Sequence, residues 1–126
     1  MCTATEWEKA CKGFENYIFS YGDSIEDEKC TYNGKYALGD NEECVSSYGA
    51  FGMSAGPREW TSTMASSTNV VTKGGSRLVP YEERVYRCGY SESERKDWAD
   101  KKLTFRCCRN DEVVETPKPT PAQKTE

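Results

Sequence analysis

The residues of this chain best suited to chemistry are its seven cysteines: Cys2, Cys11, Cys30, Cys44, Cys88, Cys107 and Cys108. Thiolates bind soft metals, attack electrophiles, or oxidise in pairs. Zinc does not suit this set, because no two cysteines have C-x-x-C spacing and the chain has no histidine to complete a tetrahedral site. The same lack of imidazole excludes Ser-His-Asp and Cys-His machinery. Three carboxylates stand out, Glu6, Glu8 and Glu59, yet nothing marks two of them as a paired acid and base. Mutual oxidation is therefore the expected fate of the cysteines. The odd count leaves one thiol over, and about 105 pairings are open to spacing alone.

Composition explains why such cross-links would be needed. Leu, Ile, Val and Phe make up only about 13% of the 126 residues, below the roughly 20% at which disorder becomes the default. Aromatic residues offset this in part, with eight Tyr, four Phe and three Trp, and the net charge is only -4. The length suits one domain. Dense cysteine in a core-poor chain signals an oxidising compartment, so an extracytoplasmic location (periplasm, cell surface or secreted) is expected. That expectation rests on cysteine usage, since Met1–Glu6 shows no signal-peptide pattern. No apolar run is long enough to span a bilayer, and the acidic balance offers no footprint for nucleic acid or anionic lipid. Neither partner is expected.

Few regular elements stand ready to position these residues. Thr3-Ala4-Thr5-Glu6 fits a capping box, which predicts a helix from about Ala4 to Lys12 with Trp7 and Cys11 on its buried face and Gly13 at its end. Phe14 to Ser47 reads as irregular loop. Trp60–Thr63, Val70–Lys73, Glu83–Tyr90 and Leu103–Arg109 read as short strands, with a charged separator around Glu92–Asp97. In the last strand Leu103, Phe105 and Cys107 share one face while Thr104, Arg106 and Cys108 share the other, so the adjacent cysteines need different partners. Residues 111–126 carry Pro117, Pro119 and Pro121 among polar residues and read as a disordered tail outside the domain of residues 1–110.

Five blocks carry a family resemblance. Cys2 to Cys11, C-T-A-T-E-W-E-K-A-C, resembles L-P-T-E-A-E-W-E-Y-A, and Tyr21-Gly22-Asp23 resembles the end of Y-P-W-G-D. Tyr48 to Thr61, Y-G-A-F-G-M-S-A-G-P-R-E-W-T, is similar to Y-G-L-Y-D-M-x-G-N-V-W-E-W-T. Lys73-Gly74-Gly75-Ser76 is similar to R-G-G-S, and Leu103 to Cys107, L-T-F-R-C, to L-G-F-R-C. In this order they resemble the C-terminal half of the formylglycine-generating-enzyme (sulfatase-modifying factor) family, in a cysteine-rich bacterial subgroup. The resemblance implies an α+β, irregular C-type-lectin-like fold, disulfide-stapled, with few short strands and one or two helices. It also implies that the domain's N-terminal half is missing, so the remainder of a parent protein is an expected partner.

For individual residues, the resemblance implies a Cys11–Cys88 bridge. It makes Cys2 the replacement partner for Cys107 or Cys108, while Cys30 and Cys44 flank one loop and suit a further bridge. The family enzymes use two copper(I)-binding cysteines after G-G-S, where this chain has Val79 and Glu83 or Arg84. No soft ligand falls there, so copper is not expected and no catalytic residue is assigned. The family's W-E-W glutamate helps bind calcium, which makes Glu59 a candidate ligand, although Gly56 replaces the family Asn, Pro57 stiffens the loop and Thr31 replaces an Asn at the family's other site. Local pairing is the plainer role for Glu59, and core packing the plainer role for Trp60. Arg77, Tyr81, Glu82, Tyr90 and Trp98 lie near the family's substrate groove, where aromatic rings beside Arg suit a protein or carbohydrate ligand. The expected function is a non-catalytic binding or scaffold module, a pseudoenzyme, and the alternative is a divergent or fragmentary oxidase acting on a cysteine of a sulfatase-type protein.

Overall fold

The computed structural model describes residues 1–26, 29–30, 42–55, 57–76, 78, 82–98 and 103–109. Helix α1 spans Ala4–Lys12, and the capping box forms as its sequence dictates. The Thr3 hydroxyl accepts from the Glu6 amide at 3.1 Å, and the Glu6 carboxylate accepts from the Thr3 amide at 2.9 Å. Gly13 ends the helix at φ 71°, its N–H on the Lys9 carbonyl. A side chain there would collide with the Ser47 hydroxyl, so both conformation and space favour glycine.

Among the described residues four strands form one sheet: β1 (Arg58–Met64), β2 (Asn69–Lys73), β3 (Ser91–Arg95) and β4 (Leu103–Phe105), in the order β3-β2-β1-β4. β2 runs antiparallel to both β1 and β3, whereas β4 joins β1 in parallel, pairing Arg58 with Leu103 and Trp60 with Phe105. The architecture is α+β with a mixed sheet. Alternation along β1 and β2 puts Glu59 and Lys73 on the face that receives α1, and Arg58 and Thr72 on the opposite face.

Three expectations need correction. Glu83–Tyr90 contains a short 3-10 helix, Glu83–Tyr86, not a strand. Its neighbours Val85 and Tyr86 are both buried, which a helical turn permits and a half-buried strand does not. The charged stretch read as a separator instead supplies edge strand β3, Ser-Glu-Ser-Glu-Arg. Glu94 is buried there because Arg58 from β1 meets it at 3.3 Å, so its charge is compensated across the sheet. The last strand is also shorter than expected, ending at Phe105.

Sulfur occupies the centre. The main cluster consists of Cys2, Trp7, Cys11, Met53 and Cys88, a second joins Phe19, Val85 and Tyr86, and a third joins Cys30, Cys44 and Ala55. With so few aliphatic residues, disulfides and aromatic rings fill the interior.

Candidate functional site

Three disulfides run through the chain in nested order: Cys2–Cys108, Cys11–Cys88 and Cys30–Cys44. The outermost ties the segment before α1 to the segment after β4, where the Cys2 amide also donates to the Arg106 carbonyl. Cys107 is exposed and unpaired, and its neighbour Cys108 is the one that pairs with Cys2. The two-residue period of the expected strand Leu103–Arg109 separates these cysteines, but only the folded chain chose between them.

Glu59 lies at the junction of α1, β1 and the end of β4, 1% exposed. The Trp7 indole N–H donates to its Oε1 at 3.0 Å. Arg106 approaches with two parallel bonds, Nε to Oε1 at 2.6 Å and Nη2 to Oε2 at 2.8 Å, and Nη2 also reaches the Phe51 carbonyl at 2.9 Å. Such a fork is the strongest form of carboxylate pairing. Beside it, Lys73 bonds Glu8 at 2.9 Å and sits 5.4 Å from the Trp7 ring centroid. Burial is the main reason the Lys73 ammonium has a lowered pKa, and the Glu8 contact opposes that shift. Trp7 thus separates two ion pairs on one face of the sheet. These roles of Trp7, Lys73 and Arg106 are not legible in the sequence; the alternation of the expected strand Leu103–Arg109 sets Arg106 on the face of Thr104 without supplying its partner.

Among the residues expected to bind a ligand, the structure brings Glu82 and Tyr90 into one cluster. The Tyr90 hydroxyl and the Ser76 hydroxyl both donate to Oε2 of Glu92, and the Ser76 oxygen accepts from the Leu78 amide at 3.0 Å. Arg84 lies over the Tyr90 ring at 5.8 Å and pairs with Glu82 at 3.0 Å. The Tyr90 ring packs on the Phe19, Val85 and Tyr86 cluster. Burial first, and then the Glu92 carboxylate, raise its pKa, so the phenol stays a donor. Gly75, at φ 131°, makes this corner possible, since a side chain there would crowd the Tyr86 ring at 3.2 Å. Trp98 does not join the cluster: it lies in the turn beyond the far end of β3, its amide on the Arg95 carbonyl. Arg77, Tyr81, Val79, Gly56 and Thr31 lie outside the described residues. Trp60 is only partly buried and stands opposite Phe105, so the large core tryptophan is Trp7.

Chemically, the cluster presents a phenol, a hydroxyl, two carboxylates and a guanidinium, groups that bind polar ligands by hydrogen bonds and charge. The Ser76 hydroxyl donates directly to the Glu92 carboxylate, which fixes its orientation. Three disulfides are the mark of an oxidising, extracytoplasmic environment. Among the described residues no helix is long and apolar enough to cross a membrane.

The family model for the sulfatase-modifying factor enzyme 1-like domain matches residues 1–111. No curated relative matches the chain. Among the described residues, the capped helix, the four-stranded mixed sheet and the three staples are consistent with the C-type-lectin-like fold of that family. With seven-eighths of its length covered by that match, this chain belongs to the formylglycine-generating-enzyme, or sulfatase-modifying factor, family.

Proposed function

We propose that the chain is a non-catalytic binding or scaffold module of this family, acting outside the cytoplasm in a bacterium. One observation carries the reading: six of the seven cysteines are joined in disulfides, so the chain retains a single free thiol, Cys107. Copper(I) chemistry of the kind the family resemblance implies takes two thiolates at one site. Cys107 follows β4, whereas the position matched to the second catalytic cysteine falls in the 3-10 helix at Glu83 or Arg84. The binding face is the cluster of Ser76, Glu82, Arg84, Tyr90 and Glu92, whose groups suit a protein or carbohydrate ligand carrying hydroxyl and charged groups.

The decisive experiment combines a copper(I) titration against a competing chelator with mass spectrometry of a sulfatase-type peptide after incubation with copper and oxygen. The module is expected to leave the peptide cysteine unchanged. Conversion of that cysteine to formylglycine, at a rate abolished by Cys107→Ser, would establish an oxidase and end this reading.

A further inference from the structure

Three sulfur atoms meet just beyond β4: the two of the Cys2–Cys108 bridge and, beside Cys108 in the chain, the thiol of Cys107. Backbone and side-chain hydrogen bonds that do not need the bridge hold Cys2 there. Its carbonyl accepts from the Ser62 amide at 2.8 Å, its amide donates to the Arg106 carbonyl at 3.3 Å, and the Ala4 amide donates to the Thr63 hydroxyl at 2.8 Å. The Cys2 sulfur lies 3.5 Å from that Arg106 oxygen. A peptide oxygen is about 3 Å from the Cα that follows it, so the Cys107 Cα lies within roughly 6.5 Å of the Cys2 sulfur. The cysteine segment is also clear of the sheet, because the ladder with β1 ends at Phe105.

We propose that Cys107 is an exchange thiol for this bridge, so that Cys2 is shared between Cys107 and Cys108. The Cys107 thiolate attacks the Cys2 sulfur; a Cys2–Cys107 bond forms as the Cys2–Cys108 bond breaks, and Cys108 leaves as the thiolate. The proton lost by Cys107 is regained by Cys108 through solvent, and no oxidant or reductant is consumed. The other two bridges lack the means for this. Cys11, Cys30 and Cys88 are 0% exposed and Cys44 is 1% exposed, whereas Cys107 is exposed and Cys108 half-buried. Cys107 is the chain's free thiol, and the bridge it adjoins is the outermost one. The clasp joining the start of the domain to its end is therefore exchangeable, while the two inner staples keep the core. Each exchange hands the unpaired thiol from one cysteine to its neighbour.

Timed alkylation of the native wild-type chain, with tandem mass spectrometry to distinguish Cys107 from Cys108, tests this. A brief pulse of a fast reagent should label Cys107. Limiting reagent applied over minutes to hours, the time scale of uncatalysed disulfide rearrangement, should label Cys108 in a growing fraction, alongside a Cys2–Cys107 cross-linked peptide. Cys107→Ser should abolish the label on Cys108. Label confined to Cys107 at every time, or label on Cys108 that survives in Cys107→Ser, would overturn the proposal. Cys108→Ser, prepared with glutathione disulfide as oxidant, gives an independent count. The folded monomer should show no free thiol and, by intact mass, no mixed disulfide, because Cys2 turns to Cys107. Two free or glutathione-capped thiols, or a disulfide-linked dimer, would equally overturn it. Should this variant fail to fold, the alkylation of the wild-type chain decides.

Discussion

Opening the Cys2–Cys108 bridge by the double substitution Cys2→Ser, Cys108→Ser tests the idea that sulfur substitutes for apolar burial. The bridge spans 106 residues in sequence, but the Cys11–Cys88 bridge lies inside it and shortens the loop it closes. With the inner bridge intact, the path from Cys2 to Cys11 and on from Cys88 to Cys108 is about 30 residues, for which loop-closure entropy gives roughly 3.6 kcal/mol. The full loop taken alone would give about 4.8 kcal/mol, and the 15-residue loop of Cys30–Cys44 about 3 kcal/mol. Urea unfolding followed by tryptophan fluorescence reads the difference, with Trp7 in the core as reporter. The expected loss is therefore about 3 to 4 kcal/mol, larger than for Cys30→Ser, Cys44→Ser. Against a domain stability of roughly 5–15 kcal/mol that is a large fraction. A loss below about 1 kcal/mol, or a fully reduced chain that still unfolds cooperatively at the same midpoint, would refute the reasoning.

Glu59→Gln should cost about 3 kcal/mol, because it leaves the Arg106 guanidinium without its buried counter-charge. Lys73→Met should change stability by less than about 1.5 kcal/mol, since it removes a desolvated ammonium while Glu8 keeps Lys12 and water; chemical denaturation of the two variants gives the ratio, and equal losses would contradict it. Thr3→Ala should cost about 1 kcal/mol through the lost cap and shorten α1, read by helical circular dichroism alongside the melt. Tyr90, with its pKa raised above 10.0, should contribute stability that is fully present below pH 10 and lost as pH rises through the folded value. The tyrosinate absorbance difference between wild type and Tyr90→Phe should therefore titrate above 10.0 and move down in Glu92→Gln; a midpoint at or below 10.0 would remove Glu92 as its acceptor.

Helix α1 was legible in the sequence because its signals are local: Thr3 and Glu6 cap it, Gly13 stops it, and Trp7 and Cys11 lie one turn apart. The first two strands were legible for the same reason. The sequence alone also determined the lack of imidazole chemistry, the need for cross-links in a chain with little aliphatic material, and the family order of its motifs. What it could not determine depends on residues far apart in the chain. Ser-Glu-Ser-Glu-Arg looks like a solvated turn until Arg58, 36 residues away, neutralises Glu94 and lets an edge strand form. Glu83–Tyr86 looks like a strand until two neighbouring side chains are buried together. The neighbours of Glu59 in sequence do not name its partner, which is Arg106, 47 residues on, closing on both of its oxygens. Cys107 and Cys108 are equivalent by type, and the end of β4 decided which one met Cys2. Charge pairing and disulfide choice are long-range events, set by which strands become neighbours, and no local pattern of residues encodes them.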